Sequence, residues 1–307
     1  MAERVASLVY HAGALGDFIT TLPALHAWRR SHPRERIVLL GVPALASLAL
    51  PGLIDEVWDA GARSFAPLFS TDAVDERCAA LFREFRSALL FASASSPLAR
   101  HLAATGVAPI VRQDPFPAGR TPIVDYHLSA VAGPDAGPDE RMPRVRIDDG
   151  SAPRVSLPAA ALHAGSGSRA KNWPAERFLR LADEVKDAGL HVVWVQGPAE
   201  AGAPAPSGVT VWRGLSLTAL AGALAGCRVY VGNDSGVTHL AAASGCPTVA
   251  LFGPSDHRVW APRGRLVRIV ASEDGRMEGI AENDVLREVR SLLGGWDTAA
   301  VSRARSG

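Results

Sequence analysis

The sequence predicts an α/β chain of two domains, each built on a parallel sheet with helices on both faces. Short apolar runs of strand length alternate with helical segments along both halves of the chain, which is the pattern of parallel strands joined by helices. A length of 307 residues fits two domains of ordinary size. Residues 132–158 are rich in proline and glycine, as connections between domains are, so we place the boundary near residue 150.

In the first half, the strands are predicted where the apolar runs are short and bounded by glycine, proline or polar residues. The helices are predicted where the segments are longer, and Pro23 is expected to interrupt the first of them. The predicted strands cover residues 5–10, 36–40, 56–58, 88–91 and 108–111, and the predicted helices cover 18–30, 44–50, 75–85, 97–105 and 125–131.

The same alternation continues in the second half, where the strands are again short and apolar. Trp173 is expected to pack in the core. The predicted strands cover residues 159–163, 191–196, 209–212, 229–231, 248–252 and 267–270. The predicted helices cover 175–188, 217–225, 238–244 and 281–293, and the chain is expected to fray from Trp296 onward.

Composition excludes several function classes. The chain carries 32 Lys and Arg against 31 Asp and Glu, which argues against a nucleic-acid partner. Cys78, Cys227 and Cys246 are odd in number and lack metal-binding spacing, so we expect reduced core thiols in a cytoplasmic protein. No signal peptide is expected, because the run at residues 5–10 is too short. Glycines and prolines divide the uncharged run 37–54, so we interpret it as buried core.

The stretch from residue 230 to residue 256 reads as strand, loop, helix, strand and loop, and its first loop has the composition of an anion site. Asp234 and Ser235 are good helix N-caps, and Gly236 allows a ligand to approach the backbone closely. The N–H groups and the positive dipole end of the helix favour phosphate. His239, in the first turn, could face the same place. The alternative is a structural turn that binds nothing.

A second small-residue loop follows the predicted strand 159–163. Ser166, Ser168 and Lys171 offer hydroxyls and a mobile positive charge to a phosphate, although the Gly-Lys-Ser/Thr order of a Walker A loop is missing. The alternative is an ordinary helix start with a solvated lysine. Glu200 follows another strand, where it could accept hydrogen bonds from ribose hydroxyls or simply be a solvated surface residue.

Asp17 lies in the loop after the first predicted strand, close to the carboxyl edge of the sheet. Ligands of open parallel sheets bind at the carboxyl ends of the strands, and Gly13 and Gly16 permit a tight loop there. The alternative is that Asp17 only caps the next helix. The glycines do not form the G-x-G-x-x-G pattern, so a dinucleotide fingerprint is absent.

Three segments, HAGALGDFITTLP, HAGSGSRAKNWP and GNDSGVTHLAAASGCPTVALFGPSD, occur in this order. Together they resemble the bacterial heptosyltransferases of glycosyltransferase family 9, the ADP-heptose:lipopolysaccharide type. The resemblance implies a GT-B fold, in which two Rossmann-like domains face each other across a cleft. It places the acceptor on residues 1–150 and the donor on residues 151–280. The terminal segment 281–307 would then carry a helix that packs back on the first domain.

The resemblance also implies an inverting, metal-independent transfer that uses no cofactor, and the sequence has no Asp-x-Asp cation motif. By position, Asp17 would be the catalytic base. The partners would be a nucleotide-sugar donor, an ADP-sugar by resemblance, and a glycan or glycolipid acceptor. The implied donor-binding residues are Lys171, Ser235, Gly236 and His239 at the diphosphate, assisted by Ser166 or Ser168, with Asp234 at the sugar, Glu200 at the ribose and Leu215 at the adenine.

Three other interpretations stay open at this point. One is a transferase for a different nucleotide sugar and glycan, and another is a non-catalytic nucleotide-sugar binder. An epimerase would share the architecture but would need further acid–base residues that we cannot place. A lipid-linked acceptor would bring the protein to the inner membrane, and Arg29, Arg30 and Arg34 could then contact the lipid surface. The alternative is that these arginines are a solvated helix end with no role at a membrane.

Overall fold

The computed structural model describes residues 5–133, 135–148, 150–153, 155, 158–200 and 205–294. The chain divides into two compact units, Met1–Arg146 and Ile147–Gly307. The sequence placed the boundary near residue 150, a few residues further along the same proline-rich connection.

The first unit is a five-stranded parallel sheet with strand order β3-β2-β1-β4-β5. The order reverses between β1 and β4, so the loops after these two strands diverge and leave a crevice at the carboxyl edge of the sheet. Its elements are β1 (Ala6–His11), α1 (Leu15–Ser31), β2 (Arg36–Gly41), α2 (Pro43–Ala46), β3 (Glu56–Asp59), α3 (Glu76–Ala80), β4 (Phe85–Phe91), α4 (Leu98–Ala104), β5 (Ile110–Gln113) and α5 (Ile123–Leu128).

The second unit is a six-stranded parallel sheet with strand order β11-β10-β9-β6-β7-β8. Counted from β6 this is the Rossmann order 3-2-1-4-5-6, and the reversal falls between β6 and β9. Its elements are β6 (Ala159–His163), α6 (Ala175–Asp187), β7 (His191–Gln196), β8 (Thr210–Arg213), α7 (Leu217–Ala225), β9 (Val229–Asn233), α8 (Gly236–Ala243), β10 (Thr248–Phe252), α9 (His257–Trp260), β11 (Val267–Ala271) and α10 (Glu282–Leu292).

The central strands are buried along their whole length, as parallel strands covered by helices on both faces must be. Trp173 is 1% exposed and its indole N–H donates to the carbonyl of Ile280 at 3.0 Å, which confirms the prediction that it packs in the core. The three cysteines are free and buried, as predicted. The described residues include no helix that is both long and apolar enough to cross a membrane.

Several predicted helices differ in the structure, and those predicted over 44–50 and 125–131 already end at Ala46 and Leu128. The helix predicted over 75–85 ends at Ala80, because Phe82 and Phe85 enter the core and Phe85 begins β4 beside β1. The interruption expected at Pro23 is also wrong, since α1 runs through it. The hydroxyls of Thr20 and Thr21 donate to carbonyls of the preceding turn, which gives that turn additional hydrogen bonds where proline has no N–H.

The terminal helix α10 packs within the second unit. Val285 and Val289 are fully buried in the core that also contains Trp173 and Ile280. A contact of this helix with the first unit stays a prediction, and the segment from Trp296 onward lies outside the described residues.

Candidate functional site

The first unit has a cavity of about 290 Å³ at the carboxyl ends of β1 and β4, where the strand order reverses. This is the place at which open parallel sheets bind ligands. The ends of β1 and β4, the first turn of α1, the β4–α4 and β5–α5 loops and α5 line it, with His11, Asp17, Phe91, Ser93, Phe116 and His127 among the lining residues.

Asp17 stands at the third position of α1 and is half-buried. Its Oδ2 accepts a hydrogen bond from the backbone N–H of Ala14 at 3.1 Å, so the residue does cap the helix, as the alternative interpretation expected. The same side chain also lines the cavity, so capping holds the carboxylate at the ligand edge. Gly13 leaves room for it, because a Cβ there would lie 3.1 Å from Asp17 Oδ2. Gly16 lies in the first turn of α1.

Two buried histidines share this cavity with Asp17, and sequence reasoning missed both. His11 ends β1 and His127 lies in α5, and their rings contact Phe91 edge-on at centroid distances of 6.0 and 5.2 Å. Burial lowers the pKa of each to about 4, and for His127 the charge of a protonated His11 adds to the effect. The Nδ1 atom of each ring is buried without a hydrogen-bond partner. His11 directly precedes the Asp17 loop, a signal that could have been used, whereas nothing in the sequence marks His127.

These histidines predict a pH-dependent stability. Each has a folded pKa of about 4 against an ordinary value of 6.5, so the unfolded chain binds protons that the folded chain does not. Stability is therefore intact above pH 6.5 and falls as the pH is lowered toward 4, by up to about 3 kcal/mol for each ring. We expect His127→Phe to flatten this slope in urea unfolding measured between pH 4 and pH 7.

A wild-type slope in His127→Phe would contradict the assignment of the pH dependence to the buried α5 ring.

The second unit has a polar cluster at the carboxyl ends of β6 and β9. Lys171 Nζ lies 2.8 Å from Asp234 Oδ2, and Asp234 is 9% exposed while the Lys171 side chain is 37% exposed. Ser235 is the N-cap of α8, with Oγ accepting from the N–H of Thr238 at 3.4 Å, and Gly236 is the first residue of the helix. The structure therefore places a cation next to the N-terminus of α8, where the first N–H groups have no partner within the helix.

Glu200 joins this cluster through His163, which ends β6 and is 3% exposed. The imidazole Nε2 lies 3.4 Å from Glu200 Oε2, and Nδ1 lies 3.4 Å from Ser235 Oγ. The hydrogen bond with His163, aided by its charge and by the N–H of Gly197, holds the pKa of Glu200 below its ordinary value against the effect of burial. Gly165 is required here, because a Cβ would lie 2.1 Å from Glu200.

Asn233 ties the two loops together and was also missed as a site residue. It is fully buried, its Oδ1 accepts from the N–H of Trp173 at 3.0 Å, and its Nδ2 donates to the carbonyl of Ala164 at 2.8 Å. These bonds fix the loop that ends in Lys171 against the end of β9. His163 and Asn233 both occupy the last position of a central strand, which is the sequence signal that could have found them.

The remaining predicted residues have simpler surroundings. Ser166 Oγ lies within its own loop, 2.7 Å from the carbonyl oxygen of Ser168 and 2.6 Å from Asn172 Oδ1, and its single proton is donated to one of these oxygens at a time. Ser168 is exposed, His239 is buried in α8, and Leu215 is half-buried between β8 and α7. Their predicted roles at the donor stay predictions.

Two further expectations concern metals and the membrane. Within the described parts of the chain, His, Cys, Asp and Glu side chains do not gather in threes where they could hold a metal ion. Arg29 is paired with Asp55, and Arg30 with Glu140 at 2.6 Å, while Arg34 is exposed. The predicted basic patch in and after the last turn of α1 is thus partly neutralised.

Comparison with known proteins identifies the family. Residues 139–289 match glycosyltransferase family 9 (heptosyltransferase). Lipopolysaccharide heptosyltransferase 2 of Escherichia coli K12 is 34% identical over 151 residues, which cover 40% of this chain and 43% of that protein. The second half of the chain thus matches glycosyltransferase family 9. Lipopolysaccharide heptosyltransferase 1 of Pseudomonas aeruginosa PAO1 is 38% identical over 92 residues, 28% of this chain and 26% of that protein. These sequence matches thus span less than half the length of the curated relatives.

Solved family 9 structures share the fold over nearly the whole chain. The family 9 glycosyl transferase of Veillonella parvula DSM 2008 superposes with a TM-score of 0.77 and 20% identity, covering 95% of this chain and 98% of that one. E. coli ADP-heptose heptosyltransferase II superposes with a TM-score of 0.73 and 19% sequence identity, covering 94% of this chain and 98% of that one. E. coli heptosyltransferase WaaC with ADP superposes with a TM-score of 0.65 and 17% sequence identity, covering 94% of this chain and 99% of that one. The GT-B type of fold, with two parallel-sheet α/β units, is thereby confirmed.

Proposed function

We propose that this chain is an inverting, metal-independent glycosyltransferase. It would move a heptose or a related sugar from an ADP-sugar to a lipopolysaccharide-core or other surface-glycan acceptor on the cytoplasmic side of the inner membrane. The observation that carries the proposal is the cluster at the ends of β6 and β9, where Lys171 meets the N-terminus of α8. A nucleoside diphosphate is the ligand whose charge that arrangement suits.

In the proposed donor complex the diphosphate lies at Lys171 and at the N–H groups of Ser235 and Gly236. Glu200 would stay ionised, because its pKa is held low, and would accept hydrogen bonds from ribose hydroxyls. Asp234, next to Lys171, would bind hydroxyls of the transferred sugar. The proposed preference for adenine is supported by the ADP complex of the E. coli relative. Leu215 would lie near the base, as the family resemblance implies.

The proposed reaction is a single displacement. The acceptor hydroxyl oxygen attacks the anomeric carbon and forms the new glycosidic bond as the bond from that carbon to the diphosphate oxygen breaks. The hydroxyl proton passes to the Asp17 carboxylate, and the leaving electron pair stays on the diphosphate. Lys171 and the end of α8 stabilise the growing negative charge of the leaving group, the task that a divalent cation performs elsewhere.

Purified full-length protein and a panel of ADP-, GDP- and UDP-sugars test the proposal. We expect nucleoside diphosphate release from the ADP-sugar when a glycan acceptor is present, with the rate unchanged by EDTA and the anomeric configuration of the product inverted in NMR spectra. Release from a GDP- or UDP-sugar alone would point to another nucleotide sugar. Nucleotide affinity without turnover would indicate a non-catalytic binder and would overturn the proposal.

A further inference from the structure

His163 lies inside the polar cluster at the ends of β6 and β9, and the proposed reaction gives it no task. It ends β6, which pairs with β9 on one side and with β7 on the other. The loop after β9 carries Ser235, and the loop after β7 carries Glu200. Because the carboxyl ends of parallel strands meet at one edge of the sheet, the last side chain of the middle strand can reach both loops.

The two ring nitrogens of His163 have different partners. Nε2 lies 3.4 Å from Glu200 Oε2, and an ionised carboxylate only accepts hydrogen bonds, so Nε2 carries a proton and donates it. In the neutral ring Nδ1 then accepts, and the hydroxyl of Ser235, 3.4 Å away, is the donor. The hydrogen bonds thus run in one direction, from Ser235 through the imidazole to Glu200.

His163 and Gly197 hold the same oxygen of Glu200. The N–H of Gly197 donates to Oε2 at 2.8 Å, and the imidazole Nε2 faces Oε2 as well. No other described residue donates to Oε1, so the lone pairs of that oxygen are left for a ligand. Gly165 leaves room for this arrangement, because a Cβ there would lie 2.1 Å from Oε1. An anionic oxygen held in this way suits a pair of hydroxyl donors.

Removing the imidazole would affect Glu200 more than Ser235. Ser235 Oγ keeps Thr238 Oγ1 at 3.1 Å and the N–H of Thr238 at 3.4 Å, and it stays the N-cap of α8. Among the described residues, Glu200 keeps only the N–H of Gly197, so its side chain is free to change rotamer. The position of the carboxylate therefore depends on His163, whereas the N-terminus of α8 does not.

We propose that His163 is a positioning residue for ribose recognition. It holds the Glu200 carboxylate so that Oε1 accepts hydrogen bonds from the 2′- and 3′-hydroxyls of the donor nucleotide. The inference rests on the proposed function, because it takes a nucleotide to be the ligand of this cluster. It goes beyond that function by assigning the ribose preference to a buried side chain that acts through Glu200.

Calorimetry with matched ligands tests this. ADP and 2′,3′-dideoxy-ADP differ only in the two ribose hydroxyls, and inorganic pyrophosphate lacks the nucleoside altogether. We expect the wild-type protein to bind ADP about tenfold or more tightly than dideoxy-ADP, and His163→Leu to reduce this ratio below about threefold. The Kd of pyrophosphate should stay within about twofold of the wild-type value, which also shows that the variant is folded. An unchanged ratio in His163→Leu, or an equal loss of pyrophosphate affinity, would overturn the inference.

Two further variants separate positioning from a purely structural role. His163→Gln keeps an N–H donor near the Nε2 position and should keep most of the ribose preference. Glu200→Gln should lose the preference, and adding His163→Leu to it should reduce ADP affinity no further, because the imidazole acts through that carboxylate. Losses that add up in the double variant would show that His163 acts by another route and would overturn the assignment.

His101→Leu is the control. It removes a histidine that is also buried, lies in the first unit and has Nδ1 at 3.0 Å from the carbonyl oxygen of Leu68. This variant should keep the wild-type ratio of the ADP and dideoxy-ADP affinities.

The inference and the proposed function fail in different ways. If ADP binds with the expected ribose preference but no nucleotide sugar is turned over, the proposed transferase fails and the role of His163 stands. If an ADP-sugar is turned over while His163→Leu keeps the full preference, the role of His163 fails and the transferase stands. A wild-type protein that binds none of ADP, GDP and UDP would overturn both.

Discussion

Asp17→Asn is expected to lower the rate of sugar transfer by about 10²–10⁴-fold, because an amide cannot take the proton of the acceptor hydroxyl. The fold should stay intact, since the amide oxygen can still accept the hydrogen bond from Ala14 that Asp17 Oδ2 accepts at 3.1 Å. The measurements are kcat for diphosphate release at saturating donor and acceptor, the KM for the donor, and the thermal midpoint. We expect only kcat to change strongly.

Asp75→Asn is the matched control. Asp75 is the N-cap of α3 and accepts from the N–H of Cys78 at 2.8 Å, a capping bond that asparagine can also make. This variant should keep full activity. If Asp17→Asn kept near-wild-type turnover, Asp17 would not be the base. A large fall in its thermal midpoint would instead make capping its main role.

The architecture was predictable from the sequence because parallel strands covered on both faces must be apolar along their length. All eleven strands of the described chain coincide with apolar runs that were predicted as strands. Their ends were harder to predict. The strand expected to stop at Val231 continues through Gly232 and Asn233, which pair with Ala250 and Leu251 of β10. The turn preference of Gly-Asn is overridden there by the neighbouring strands.

The site was predictable only in part, because the strand pattern places loops but not the side chains that pack between them. Loops that follow central strands of a parallel sheet meet at one edge, so Lys171 and Asp234 could be expected near each other from the strand pattern alone. The position of the Glu200 carboxylate could not be predicted from the strand pattern. It depends on His163, 37 residues earlier, and on Gly165, whose missing side chain leaves space for it. Such contacts depend on tertiary packing that local sequence patterns do not encode.

Lys171→Met is expected to reduce kcat by about 10²–10³-fold and to raise the KM for the donor, because the leaving diphosphate would lose its cation. The loss has a second component. Asp234, 9% exposed and 2.8 Å from Lys171 Nζ, would face the diphosphate without the intervening positive charge. We therefore expect Lys171→Met/Asp234→Asn to bind ADP more tightly than Lys171→Met in calorimetry, while its kcat stays low.

The control is Lys186→Met, which removes a lysine from a surface ion pair of α6 with Asp183 at 3.7 Å and should leave both kinetic constants unchanged. The double variant decides between two roles for Lys171. If Lys171 acts on the leaving group, removing the Asp234 charge restores affinity but not rate, since no cation returns to the transition state. If Lys171 only neutralises Asp234, the double variant should recover both, and the charge that drives diphosphate departure would have to come from the end of α8 alone.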